Sequence, residues 1–71
     1  MSAETPVALV RSLVSVQERI AASERIVAGL QRAQRPAVEV HRVAGLLADW
    51  RDTERGILRR LRELAAQEWE A

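Results

Sequence analysis

His41 is the one side chain of this sequence that ordinarily titrates near neutrality, and Glu39 is its nearest acidic neighbour. Two residues apart on a helix, they point in different directions and make a poor metal pair or acid–base pair. The four Ser residues have no Asp–His arrangement and no nucleophile-elbow glycines around them, and the chain has neither Cys nor Lys to serve as another nucleophile. The glycines stand alone at 29, 45 and 56 within helical patterns, so no glycine-rich phosphate loop is formed. These observations predict a protein that is not an enzyme, with no catalytic residues, no bound cofactor and no metal site.

Arginine is the remaining chemically distinctive residue. All eleven basic residues are Arg. Arg51, Arg55, Arg59 and Arg62 recur at spacings of four, four and three along one side of a helix, with Arg60 adjacent, a pattern able to grip a phosphate backbone. Against that reading, ten acidic residues bring the formal net charge to only +1, so no strong field attracts nucleic acid or anionic membrane. Arg59 with Glu63 and Asp52 with Arg55 can form ordinary intrahelical ion pairs. No aromatic residues are interleaved for base stacking. The stripe is therefore read first as a solvated face or a contact for an acidic protein, and nucleic acid as the alternative.

The elements that would carry these side chains follow from a seven-residue apolar repeat. In the first half it falls on Leu9, Leu13, Val16, Ile20, Ser23, Val27 and Leu30; in the second on Val40, Val43, Leu47, Trp50, Glu54, Ile57, Leu61 and Leu64. Spacings alternating three and four put these side chains on one stripe of a helix. Thr5-Pro6 reads as a helix start, with Thr as cap and Pro in the first turn, where its missing N–H costs nothing. The repeat slips by one residue at Arg35-Pro36, where Pro disfavours helical geometry in its predecessor. One domain over 1–71 is expected, with helix one at about 6–33, a turn at about 34–36 and helix two at about 37–67. Two helices of similar length joined by so short a turn predict an all-α antiparallel hairpin. A single Pro-kinked helix in a parallel coiled coil is the alternative.

The apolar faces are wider than one partner helix can cover. Val10, Val14, Ala21 and Ala28 flank the seam of helix one, and Leu46 and Leu58 flank that of helix two. With Trp50 as a seam anchor and Trp69 as a docking residue near the C-terminal end, these positions form the expected partner interface. The surplus predicts assembly into a four-helix bundle, as a homodimer or with helices of another protein. Ser23 and Glu54, the polar members of the seam, would form a register-setting layer if they lie at one depth.

Composition agrees with a packing module rather than a ligand cavity. The chain of 71 residues is 48% hydrophobic but only 3% aromatic, without Phe or Tyr. It contains no Cys, so no disulfide reinforces so small a fold, and oligomerisation is the remaining route to stability. The apolar stretch from Pro6 to Val10 is cut by Arg11, too short for a signal core and far short of the ~20 residues of a membrane span. A cytoplasmic interaction or oligomerisation module, serving as adaptor, chaperone or assembly factor, is the expectation. The alternative is a small nucleic-acid-associated regulator using the Arg stripe.

Overall fold

The computed structural model describes the backbone of residues 5–70 and the side chains of residues 5–68. Two helices account for nearly all of it: α1, Pro6–Arg32, and α2, Ala37–Glu70, packed side by side as an antiparallel hairpin. The opposite sense of the two helices is visible in their cross-links. Gln17 on α1 meets Glu54, and Glu24, further along α1, meets Arg51, further back on α2.

Local chemistry explains where each helix begins and ends. Thr5 has extended backbone geometry, and its Oγ1 accepts a hydrogen bond of 3.1 Å from the Ala8 amide, satisfying one donor of the first turn. Pro6 occupies the next position, where no amide is needed. At the other end of α1 the Arg35 amide donates to the Leu30 carbonyl and the Gln34 amide to the Gln31 carbonyl, the two bonds of a Schellman cap. That cap requires a left-handed residue, and Gln34 supplies it with φ of 54°. Pro36 follows, blocking any continuation of α1, and its carbonyl accepts from the Glu39 and Val40 amides as α2 begins.

A further clamp bridges the turn. Arg35 donates to both carboxylate oxygens of Glu39, at 2.9 and 2.8 Å, tying the residue after the cap to the first turn of α2. The negative charge also sits at the helix end that favours it. These hydrogen bonds from Arg35 hold the Glu39 carboxylate below its ordinary value near 4.5 and raise the Arg35 guanidinium. Glu39 is thereby committed to the turn rather than to His41, which is exposed.

The helices are less equal than their repeats imply. α1 has 27 residues and α2 has 34, because no Gly or Pro follows Gly56 to stop α2 near Gln67. At 1.5 Å per residue α2 is about 51 Å long, close to the 54 Å length of the molecule. The 21 and 15 Å cross-section is that of two helices and nothing more.

All fifteen seam positions are buried or half-buried. Among the described residues, however, only Leu9, Val16 and Leu47 fall below a tenth exposed, at 8%, 7% and 8%. Two cylinders touch along a line, and the sides of that line stay wet. The expected Ser23–Glu54 layer does not form. Gln17 donates to Glu54 at 3.2 Å, and Ser23 adjoins Glu24 at the level of Arg51, about one helical turn from Glu54.

Three substitutions test the local account by chemical denaturation. Thr5→Ala should destabilise the hairpin by about 1 kcal/mol through loss of the cap. Gln34→Gly should stabilise it by up to ~1 kcal/mol by relieving the left-handed strain. The Arg35–Glu39 contribution has a defined pH sign: because the folded carboxyl is the more acidic, it is complete above about pH 4.5 and lost as pH falls through the depressed value. Glu39→Gln should therefore lower stability by a constant amount from about pH 5 to neutrality and flatten part of the acid limb of the stability curve.

Candidate partner interface

Each helix carries two edges beside the seam, and the cross-links identify them. Residues seven apart on a helix differ by only ~20° in direction, so Val10, Gln17 and Glu24 share one edge of α1. The same rule places Leu58 with Arg51 on the facing edge of α2. On the opposite side of the hairpin, the Arg19 guanidinium lies over the Trp50 ring, 4.9 Å from its centroid. Ile26, seven residues beyond Arg19, belongs to that side.

The flanking residues expected to meet a partner therefore divide between two edges. Val10, Val14, Ala21 and Ala28 form one row along α1, with Leu58 across the seam from its N-terminal half. Val10 is 47% and Val14 49% exposed, and Val7 extends the row at 62%. Ala21 is exposed, and Ala28 and Leu58 are half-buried. Leu46, 54% exposed, lies with Trp50 and Ile26 on the other side. Val7 and Ile26 were not foreseen as surface features, although Val7 continues the spacing of Val14 and Ala21 by seven. The side chain of Trp69 lies outside the described residues.

Trp50 occupies the seam, half-buried, and its ring is covered by Arg19 rather than by apolar side chains alone. A cation over an indole at such a site contributes roughly 0.5–1 kcal/mol. The pair forms one wall of a surface depression of about 460 Å³ whose other walls are Arg11, Ser12, Ser15 and Val16. A smaller depression of about 260 Å³ is lined by Pro6, Val7, Val10 and Arg11. Beside it, Pro6, Leu61, Leu64, Ala65 and Glu68 surround one of about 200 Å³. The open end of the hairpin thus presents adjoining apolar hollows that share Pro6.

The arginines of α2 do not act as one free stripe. Arg51 reaches across to Glu24 at 3.4 Å, and Arg55 pairs with Asp52 at 2.6 Å. Glu63 receives Arg60 at 3.0 Å, rather than Arg59 as the spacing alone suggests. Arg59 and Arg62 are exposed and make no ion pair among the described residues. Each exposed pair is worth a fraction of a kcal/mol at most, so their effect is on the direction of the charges more than on stability. No group of three or more His, Asp or Glu side chains among the described residues is arranged to hold a metal ion. No helix among them is long and apolar enough to cross a membrane.

No protein-family model matches the chain, and neither the curated proteins nor the solved structures include a significant match to it.

Replacing Trp50 separates its two contributions. Trp50→Leu should keep the seam apolar while removing the ring beneath Arg19, lowering stability by roughly 1–3 kcal/mol in a denaturant titration. Arg19→Gln in the wild-type background should cost no more than about 1 kcal/mol.

Proposed function

We propose that this protein is a small helical interaction or oligomerisation module, acting as an adaptor, chaperone or assembly factor whose working surface is the apolar row on α1. The supporting observation is the row itself. Val7, Val10 and Val14 are 62%, 47% and 49% exposed beside a seam that buries only three side chains to below a tenth. Large apolar side chains aligned along one edge are the usual mark of a surface meant to be covered. A helix laid along the row would supply that cover, since its anchors would meet residues spaced three and four apart.

The shape supports the same reading. A chain of 71 residues folded to ordinary compactness has a radius of gyration of about 11 Å, whereas this hairpin has 16.2 Å. Its accessible surface of 5771 Å² is about 30% larger than expected for a folded protein of its mass. In this reading the partner provides the remaining layer of the fold. The protein is cytoplasmic, consistent with a chain that lacks Cys.

A second reading, a nucleic-acid-associated regulator, draws on Arg59 and Arg62. It is weaker because Arg51 and Arg55 already face carboxylates. Binding at low salt that falls steeply with added salt and is lost in Arg59→Glu would favour it over the module.

For the module, unfolding should depend on what covers the row. Each tenfold rise in partner concentration above the dissociation constant adds about 1.4 kcal/mol of stability, so the melting midpoint should climb with added partner or with the protein's own concentration. Val10→Asp should abolish that climb. A midpoint independent of protein concentration, together with no partner retained by the wild-type chain and lost by Val10→Asp, removes the reading.

A further inference from the structure

We infer that the occupant of the α1 row is a second copy of this chain, joined across a two-fold axis that sets α1 against the α1 of its partner with both α2 helices outside. This assignment rests on the module reading above and names its partner and geometry.

The charge distribution selects the helix. From Val7 to Ala28 the row runs Val7, Val10, Val14, Gln17, Ala21, Glu24 and Ala28 at alternating spacings of three and four, a second seam along α1. Its one charged member, Glu24, already faces Arg51 of its own hairpin. Two such rows can meet without bringing uncompensated like charges together. The same edge of α2 carries three guanidiniums to the one carboxylate of the α1 row. Arg51 and Arg55 face Glu24 and Asp52, but Arg62 makes no ion pair among the described residues, and a two-fold contact through α2 would set Arg62 and the outer faces of the other two against their own copies. Like charges juxtaposed in an interface disfavour the contact.

Size and shape agree with the same arrangement. The surface beyond that of a compact protein of this mass is roughly 1,300 Å², and a stable interface covers about 800 Å² on each partner. The bulky members, Val7, Val10 and Val14, occupy the N-terminal half of the row, and the small ones, Ala21 and Ala28, the C-terminal half. An antiparallel two-fold pairing sets the large half of each copy against the small half of the other, the complementarity an isologous contact needs. The 27-residue length of α1 matches itself by construction, so the row is covered from end to end.

Two measurements on the full chain test this. Sedimentation equilibrium over a concentration series should give a dimer. Val14→Asp should weaken it at least about tenfold, while Leu46→Asp, on the opposite edge, should leave it intact. Because the chain has no Cys, nitroxides can be attached singly at Glu18→Cys and Arg59→Cys in the otherwise wild-type protein. Electron–electron distance measurements should find the Glu18 labels of the two copies closer together than the Arg59 labels. This second measurement stands even if Val14→Asp fails to fold. A folded monomer across the series, or a dimer with the Arg59 labels closer, overturns the inference. A monomer that instead binds a different helical protein through Val10 and Val14 overturns it while leaving the module reading standing.

Discussion

A single line of contact between two helices carries the whole of this fold. Its members, from Leu9 to Leu30 on α1 and from Val40 to Leu64 on α2, are all at least half-buried, yet only three reach core-like burial. Full burial of a Leu or Val side chain is worth ~1.5–3 kcal/mol, and partial burial proportionately less. With no disulfide, and no third element among the described residues, hydrophobic stabilisation in the isolated hairpin is limited by geometry, not by composition. The exposed valines of α1 are the other side of that limit.

The turn converts the seam from a pattern into a contact. A Schellman cap ended by Gln34, a Pro that forbids continuation, and the Arg35–Glu39 clamp together reverse the chain within four residues. The reversal fixes the register, which in turn brings Gln17 to Glu54, Glu24 to Arg51 and Arg19 to Trp50. Those three contacts orient the edges of the hairpin. One edge becomes apolar on α1 and basic on α2, and the other is closed in its middle by a guanidinium stacked on an indole. Function, in the reading advanced above, follows from that asymmetry rather than from any reactive group.

Much of the architecture was legible from residue spacing. Thr5-Pro6 marks the start of α1 because capping chemistry is local, and the one-residue slip at Pro36 marks the reversal because Pro restricts its predecessor whatever the tertiary setting. The end of α2 was less legible: Glu68, Trp69 and Glu70 carry neither a stop signal nor the seam repeat, and the helix simply continues. Spacing left two polar partners open: Glu63 receives Arg60 rather than Arg59, and Glu54 accepts from Gln17 rather than joining Ser23 in a layer. Both involve choices between side chains less than two turns apart on one helix, which a periodic pattern cannot resolve.

By itself the sequence determined two helices, their seam, the point of reversal and the presence of more apolar surface than a hairpin can cover. These are properties of periods and of local backbone chemistry, so they are written along the chain. The tertiary structure alone decided how the surplus is shared between edges. Val10, Val14 and Leu58 fall on one side and Leu46 on the other, and the exposed arginines of the α2 stripe divide into Arg51 and Arg55, which face carboxylates, and Arg59 and Arg62, which make no ion pair among the described residues. That division depends on the rotation and offset of one helix against the other, quantities set by how side chains interlock across the seam and invisible in either helix taken alone.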